Sequence, residues 1–475
     1  MLDFFVTVQV MRRQPLRLPR APSVRVRSRR PARRLGWLAL ACAAALGAEA
    51  QEPRRLGQDE LDLQGRSSVV QGSGARALGM GGAFLARPDD ATAASWNPSG
   101  LSYLRRPEVS LVRLPRNALA TRERDARSLE TTLTDERHGH GFDFVAGAYP
   151  IDLGSVSGAF QVSYQRVLAF DSTRTIERSN GTVTIESDGG FDVLALASGL
   201  QVSRRWRLGA TLNRWFNGYA QTLDRQTAVN TRQTLRFDVA AWNVNLGLIW
   251  SPVESLNIGA VAKTPFTAKV SMARTRRDVT ADVAETVTEN SYSSDAVRLY
   301  LPGAIGVGAS WRPRSTLTVS ADYTRSLWSE AHVRGFYTLA ACQPGQACPP
   351  ARQPDATGDL FPHLTYPSLA DPRQADTEEI RFGVERVLLF ERAKVPLRAG
   401  FFRERPYFLR GDGTPPPRSL GITAGLGVVV GPLLLDAAYV RETLAYNNLA
   451  PVETERRRLR TVSEKVYLSL ILRVP

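Results

Sequence analysis

Few residues in this sequence are equipped for chemistry: the chain holds three cysteines and four histidines in 475 residues. Cys342 and Cys348 enclose Gln343-Pro344-Gly345-Gln346-Ala347, a spacing that in an exported protein favours a local disulfide. A metal site is the lesser alternative there, because no histidine lies close by. His138 and His140 flank Gly139 and on a strand point to one side, which suits a solvated loop edge better than a metal pair. No Ser-His-Asp spacing, nucleophile elbow or close carboxylate pair stands out, so an enzyme has no support. Gly72, Gly74, Gly79, Gly81 and Gly82 form a cluster, but it lacks the preceding strand, the Lys-Ser/Thr end and the later acid of a phosphate-binding loop. No cofactor and no resident metal are expected.

The net charge of +15 invites a nucleic-acid reading. More than half of it sits in residues 1–50, where ten arginines face only Asp3 and Glu49. The remaining bases are interspersed with acids, whereas a protein that tracks phosphates concentrates them on one element. Nucleic acid is therefore excluded as a partner. The same fifty residues read as an export signal: arginines end at Arg33-Arg34, an apolar run from Leu35 to Leu46 follows, and Ala48-Glu49-Ala50 offers a small-x-small cleavage site. Its charged start is longer than usual, and no methionine lies between Met11 and Met80, so translation is expected to begin near Val24 or Val26. That apolar run is too short to cross a bilayer as a helix, which needs about 20 residues.

The elements that would position any site are strands. From about Arg106 onward, apolar and polar residues alternate with period 2 in segments of about 8 to 20 residues. Trp242, Val244, Leu246, Leu248 and Trp250 share one face, and Asn243, Asn245, Gly247 and Ile249 the other. Eight steps at ~3.3 Å give about 26 Å between the two tryptophans, close to the ~25 Å apolar band of an outer-membrane barrel with its aromatic girdles. Leu420 to Val428, Leu317 to Tyr323 and the final run Val466 to Val474 divide in the same way. That last strand is the kind read by barrel-assembly machinery.

Short connections are predicted near Asp152–Ser155, Ser203–Arg205, Pro252–Ser255, Arg312–Ser315, Glu391–Lys394 and Val430–Pro432. Longer polar ones alternate with them at 115–139, 171–189, 222–233, 274–291, 333–377, 409–418 and 446–457, with Asn180-Gly181 as a hairpin turn inside one. Six turns and seven loops imply an all-β transmembrane antiparallel barrel of about fourteen strands in the outer membrane of a Gram-negative-type bacterium. The organisation is 1–50 signal peptide, 51–105 N-terminal segment and 106–475 barrel.

Residues 72–101, GSGARALGMGGAFLARPDDATAASWNPSGL, resemble the FadL/TodX family of outer-membrane transporters for long-chain fatty acids and hydrocarbons. The segment is also similar to the PorV-type barrels of a bacterial secretion system. Asn97-Pro98-Ser99 matches the family's Asn-Pro-Ala element with serine in the third place. Weaker matches follow at Leu301–Ala304, Ala321–Thr324 with Leu327–Ser329, Leu397–Gly400 and Leu435–Tyr439. The resemblance implies a fourteen-stranded barrel whose residues 51–105 form a hatch in the lumen, with Asn97 beside a lateral opening in the wall. Gly79, Gly81, Gly82, Asp89, Asp90, Asn97, Pro98 and Ser99 are the candidate gating residues. Asp89-Asp90 are expected to cap a short helix over Ala91–Ala94 that Asn97-Pro98 ends.

The function expected is passive transport of a hydrophobic small molecule, by hatch movement and lateral exit through the wall. The alternative is a PorV-like docking scaffold in protein secretion. Lumen-side Arg381 and Arg398 are candidate partners of a ligand carboxylate, or else pair with Glu385 or Glu404. The charged outer loops are expected to face outer-membrane lipid and lipopolysaccharide.

Overall fold

The computed structural model describes residues 72–475 apart from segments within the connections: 125–129, 138–141, 153, 155, 170–171, 179–180, 227–228, 281–285, 335, 343–350, 355–374, 407–416 and 450–455. The export signal, His138, His140 and Cys348 lie outside the described residues. Cys342 ends a strand, Phe336–Cys342, that pairs with Glu289–Ser293.

Fourteen strands form the wall. They are β1 Glu108–Arg124, β2 Phe142–Asp152, β3 Ser157–Ala169, β4 Gly181–Gln201, β5 Trp206–Phe216, β6 Val229–Val253 and β7 Leu256–Lys263. The second half comprises β8 Ala304–Arg314, β9 Leu317–Ser326, β10 Thr377–Leu389, β11 Lys394–Glu404, β12 Ser419–Val430, β13 Leu433–Leu449 and β14 Arg456–Arg473. Each pairs antiparallel with the next, and β14 returns to β1 with Leu472 opposite Val109, so the sheet closes without an edge. Closure satisfies every ladder in a medium that offers no hydrogen bonds. All six predicted turns connect neighbouring wall strands, and all seven predicted long loops fall at the opposite end, which orients the short turns toward the periplasm.

Alternation sets the two faces. Trp242 and Leu246 are 56% and 52% exposed on the outside, while Asn243 and Asn245 are each 7% exposed within. Leu194, Leu196, Ile305, Val307, Leu420 and Ile422 are exposed on the same outer face, an apolar surface built for lipid. Trp206 and Trp250 stack with centroids 5.7 Å apart near the periplasmic end of this belt.

Several segments expected as polar connections are ladders instead. Arg274–Thr280, the upper end of a strand that begins at Phe266, pairs with Thr286–Tyr292 and with the upper part of β6, and Ser172–Arg178 pairs with Gly181–Ser187. Beyond the lipid both faces of a strand meet water, so the apolar alternation fades while the pairing continues. Arg178 stands opposite Gly181, so Gly181 of the predicted Asn180-Gly181 turn is already part of the ladder, and Asn180 lies outside the described residues.

The wall is interrupted at one level. The ladder between β6 and β7 stops at Lys263 opposite Asn245 and resumes at Lys269 opposite Ala240. Residues 264–265 and 302–303 leave the regular register on the next two junctions, where Pro265 and Pro302 carry no N–H to donate, and only single bonds remain at this level, Thr264 N–H to Val244 O at 2.9 Å and Leu327 N–H to Gly303 O at 3.0 Å among them.

Candidate functional site

Residues 72–104 lie inside the barrel as a plug. They form α1 Ala75–Gly79, α2 Ala93–Trp96 and a 3-10 turn Pro98–Tyr103, joined by tight turns, and nearly all of them are buried. Gly81 and Gly82 adopt φ of 67° and 75°, left-handed values that let the chain reverse after α1. Trp96 anchors the fold of the plug: its ring meets Phe84 edge-on at 6.1 Å and its Nε1 donates to Ser73 O at 2.7 Å.

The plug rests on glycines of the wall. Gly199, Gly209 and Gly247 are register partners on adjacent strands, and a methyl group on any of them would overlap Pro98, Ser99 or Asn97. Gly259 does the same beneath Leu85, and the paired Gly383 and Gly400 beneath Met80 and Gly81. A Cβ on Gly79 would lie 2.9 Å from the Cα of Gly425. Backbone therefore lies on backbone, which only residues without side chains permit.

Wall side chains then satisfy the plug's exposed amides. Asp322 accepts from the N–H groups of Phe84 and Leu85 at 2.6 and 2.8 Å, Thr423 from Gly81 at 2.9 Å, Ser469 from Ala75 at 2.7 Å and Glu108 from Ala91 at 3.0 Å. Asn97 is the busiest polar residue. Its Nδ2 donates to Leu85 O at 2.8 Å and to the wall carbonyls of Leu248 and Ala260 at 3.2 and 3.3 Å, while its Oδ1 accepts from the Ser99 hydroxyl at 2.6 Å. Asn97 thus joins two parts of the plug to the β6–β7 junction.

A buried charge seam fixes one side. Arg76 Nη1 lies 2.6 Å from Asp89 and 3.3 Å from Asp90, and its Nε 3.2 Å from Glu385 of the wall. Glu385 also pairs with Arg398 at 2.8 Å, and Arg398 with Asp436 at 2.6 Å. Burial disfavours the charge on Arg76, but Asp89, then Glu385 and Asp90, outweigh it and hold the guanidinium well above its usual pKa. Burial likewise opposes ionisation of Asp89, and Arg76 and Arg87 more than reverse that, holding its carboxyl well below the usual range.

The expected helix cap takes a different form. The helix spans Ala93–Trp96, its N-cap residue is Thr92, and no side chain caps it. Asp90 closes a turn just before it, accepting from the N–H and hydroxyl of Thr92 at 2.9 and 2.6 Å, whereas Asp89 serves Arg76 and Arg87. Arg381 is held by Glu379 at 2.5 Å and donates to Gly81 O at 3.2 Å. Both candidate carboxylate-binding arginines are therefore occupied by the protein's own acids and help seat the plug.

On the outer side of the plug lies a cavity of about 50 Å³. Its floor is Ala94 and Ser95, and its walls include Ser163, Asn213, Trp215, Asn245, Lys263 and Phe266. Residues Thr264 and Pro302 of the interrupted wall line it too. Leu168, Phe191, Val193, Trp215, Val239, Val270, Leu299 and Trp328 form an apolar cluster in the same half of the lumen, continuing toward the outer end. The inward positions of a water-filled pore are polar, so this half departs from that pattern. Neither the glycine track nor the cluster was foreseen; glycines on the polar face of successive strands were the available signal, but they align only once register is known.

A family model described as BamG matches residues 79–341. No curated protein sequence matches the chain. Among solved structures, a Pseudomonas aeruginosa FadL homologue is similar with a TM-score of 0.54 at 14% identity, over 84% of this chain and 98% of that one. The Ralstonia pickettii toluene transporter TbuX gives a TM-score of 0.54 at 15% identity, over 86% and 99%. The P. putida toluene transporter TodX gives 0.54 at 13%, over 85% and 99%. At such identities the likeness is one of fold: this is a FadL-type outer-membrane barrel.

Proposed function

The chain belongs to the BamG family, and from its plugged barrel we propose that it passes hydrophobic small molecules across the outer membrane. The observation that carries this reading is the apolar half-lumen leading to a cavity on the plug. An ordinary aqueous pore gains nothing from burying Trp215, Phe191 and Leu299 on its inner face, whereas a hydrocarbon moving inward is drawn to them. A dry cavity that admits benzene measures about 150 Å³. At about 50 Å³ the cavity must grow roughly threefold, so passage requires the plug to shift. Such a shift would give the ligand access to the interrupted ladder at 264–265 and 302–303, which supplies a sideways exit into lipid. With Arg381 and Arg398 already paired, a neutral hydrocarbon fits better than a carboxylate.

The test is uptake of labelled toluene and of labelled oleate by cells lacking their own transporter and expressing the protein or Asn97→Ala at equal outer-membrane levels. Toluene uptake by the wild type, reduced by the substitution, supports the reading. No uptake of either compound from a heat-modifiable barrel refutes it.

A second reading, a docking scaffold for other proteins, is favoured by the charge seam that locks the plug in place. A stable co-purifying protein partner together with absent uptake would select it.

A further inference from the structure

The lipid-facing wall carries charges where it should carry none. Arg314 is the register partner of Leu317, whose other neighbour is Arg386, so the two arginines flank one leucine across three strands. Two strand spacings put their backbones about 10 Å apart. Both are exposed, and neither has an ion-pair or hydrogen-bond partner among the described residues. Arg386 shares the outer face of β10 with Ile380 and Leu388, which are themselves exposed. Exposed Leu388 and Phe390 continue the apolar surface beyond it toward the periplasm. Trp311 is exposed beside Val319, in the same corner, as interfacial tryptophans are.

An arginine on the lipid face costs about 2–4 kcal/mol at the bilayer midplane and little at the interface, so Arg386 lies where an anion is worth binding. The turn at the end of β10 adds exposed Arg392 and Lys394 against a single exposed acid, Glu391. We propose that Arg314 and Arg386 form a binding site for the phosphate of an anionic phospholipid in the periplasmic leaflet. The forked guanidinium donors suit phosphate oxygens, and the two arginines converge on one headgroup from the strands on either side of β9. The acyl chains then run toward mid-membrane over Val319, Val384 and Ile380, which share the outer face. Long side chains let both charges reach the headgroup layer while their stems stay in lipid. This site is independent of the lumen and of what the barrel transports.

Native mass spectrometry of the purified barrel in micelles doped with phosphatidylglycerol or phosphatidylcholine of equal chain length tests the site. The wild type should retain phosphatidylglycerol about thirty times better, as expected for two arginines that each favour an anionic lipid by about five- to sixfold. Arg314→Gln with Arg386→Gln should abolish that preference, and Arg204→Gln with Arg205→Gln, at another periplasmic turn, should leave it intact. Inorganic phosphate at constant ionic strength should not displace the lipid. Equal retention of the two lipids by the wild type, equal loss in both double variants, or displacement by phosphate alone overturns the proposal. A wild type without lipid preference leaves the basic corner to an acidic protein.

Discussion

Removing the carboxylate of Glu385 attacks the plug where it is held most tightly. Glu385 is shared between Arg76 of the plug and Arg398 of the wall; Glu385 and Arg398 are buried, and the Arg76 side chain is 13% exposed. Deleting one member of a buried pair costs about 3–5 kcal/mol, because the partner charge is stranded. Here the loss is smaller. Arg398 keeps Asp436 at 2.6 Å, and Arg76 keeps Asp89 at 2.6 Å and Asp90 at 3.3 Å. About 2–3 kcal/mol is the expected penalty for Glu385→Ala, felt by the seated plug and not by the paired wall. That raises the unseated population about 30- to 150-fold. Hydrogen–deuterium exchange reads it directly, because the amides of Gly81, Phe84 and Leu85 are protected by wall side chains and are released together when the plug lifts. Exchange at these amides should accelerate by that factor while β8 and β9 stay unchanged. An acceleration under threefold, in a barrel that remains heat-modifiable, refutes the idea that the seam holds the plug.

Gly383→Leu should unseat the plug by overpacking worth about 1–3 kcal/mol, raising conductance in planar bilayers, whereas Gly147→Leu meets nothing within 4 Å and should leave it unchanged. The folded pKa of Asp89 is depressed, so its contribution is complete above the unfolded value of 3.8 and is lost as pH falls through the lower folded one. Conductance should therefore stay low from pH 8 to about 5 and rise only below about pH 4, and a rise near neutrality would exclude the seam as the latch. Leu246→Arg, midway between the two girdle tryptophans, should cost the barrel about 2–4 kcal/mol in urea unfolding from lipid vesicles.

Much of the wall is legible from sequence because lipid on one side and plug on the other leave a strong contrast at every second residue. Trp242 to Trp250 shows it, and so does the run from Leu420 to Val428. The contrast vanishes above the membrane, which is why paired segments such as Arg274–Thr280 read as loops. Inward residues of the downstream motifs acquire a meaning only in three dimensions. Asp322 receives the plug's amides, Gly400 lets its backbone pass, and Asp436 supports Arg398. Arg76 and Glu385 are separated by 309 positions, so no local pattern could pair them.

The seam between the first and last strands has a consequence for how the molecule is built. Glu108 of β1 takes the guanidinium of Arg473 from β14 and the amide of Ala91 from the plug, and Ser469 of β14 takes the amide of Ala75. Half of these acceptors belong to the last segment synthesised. The plug, made first, has no complete seat until β14 has joined β1, so its docking is a late event that registers a finished cylinder. A chain halted before that junction should leave its N-terminal segment unseated, and limited proteolysis of the assembling barrel would read that as cleavage within 72–104 that ceases once β14 is in place.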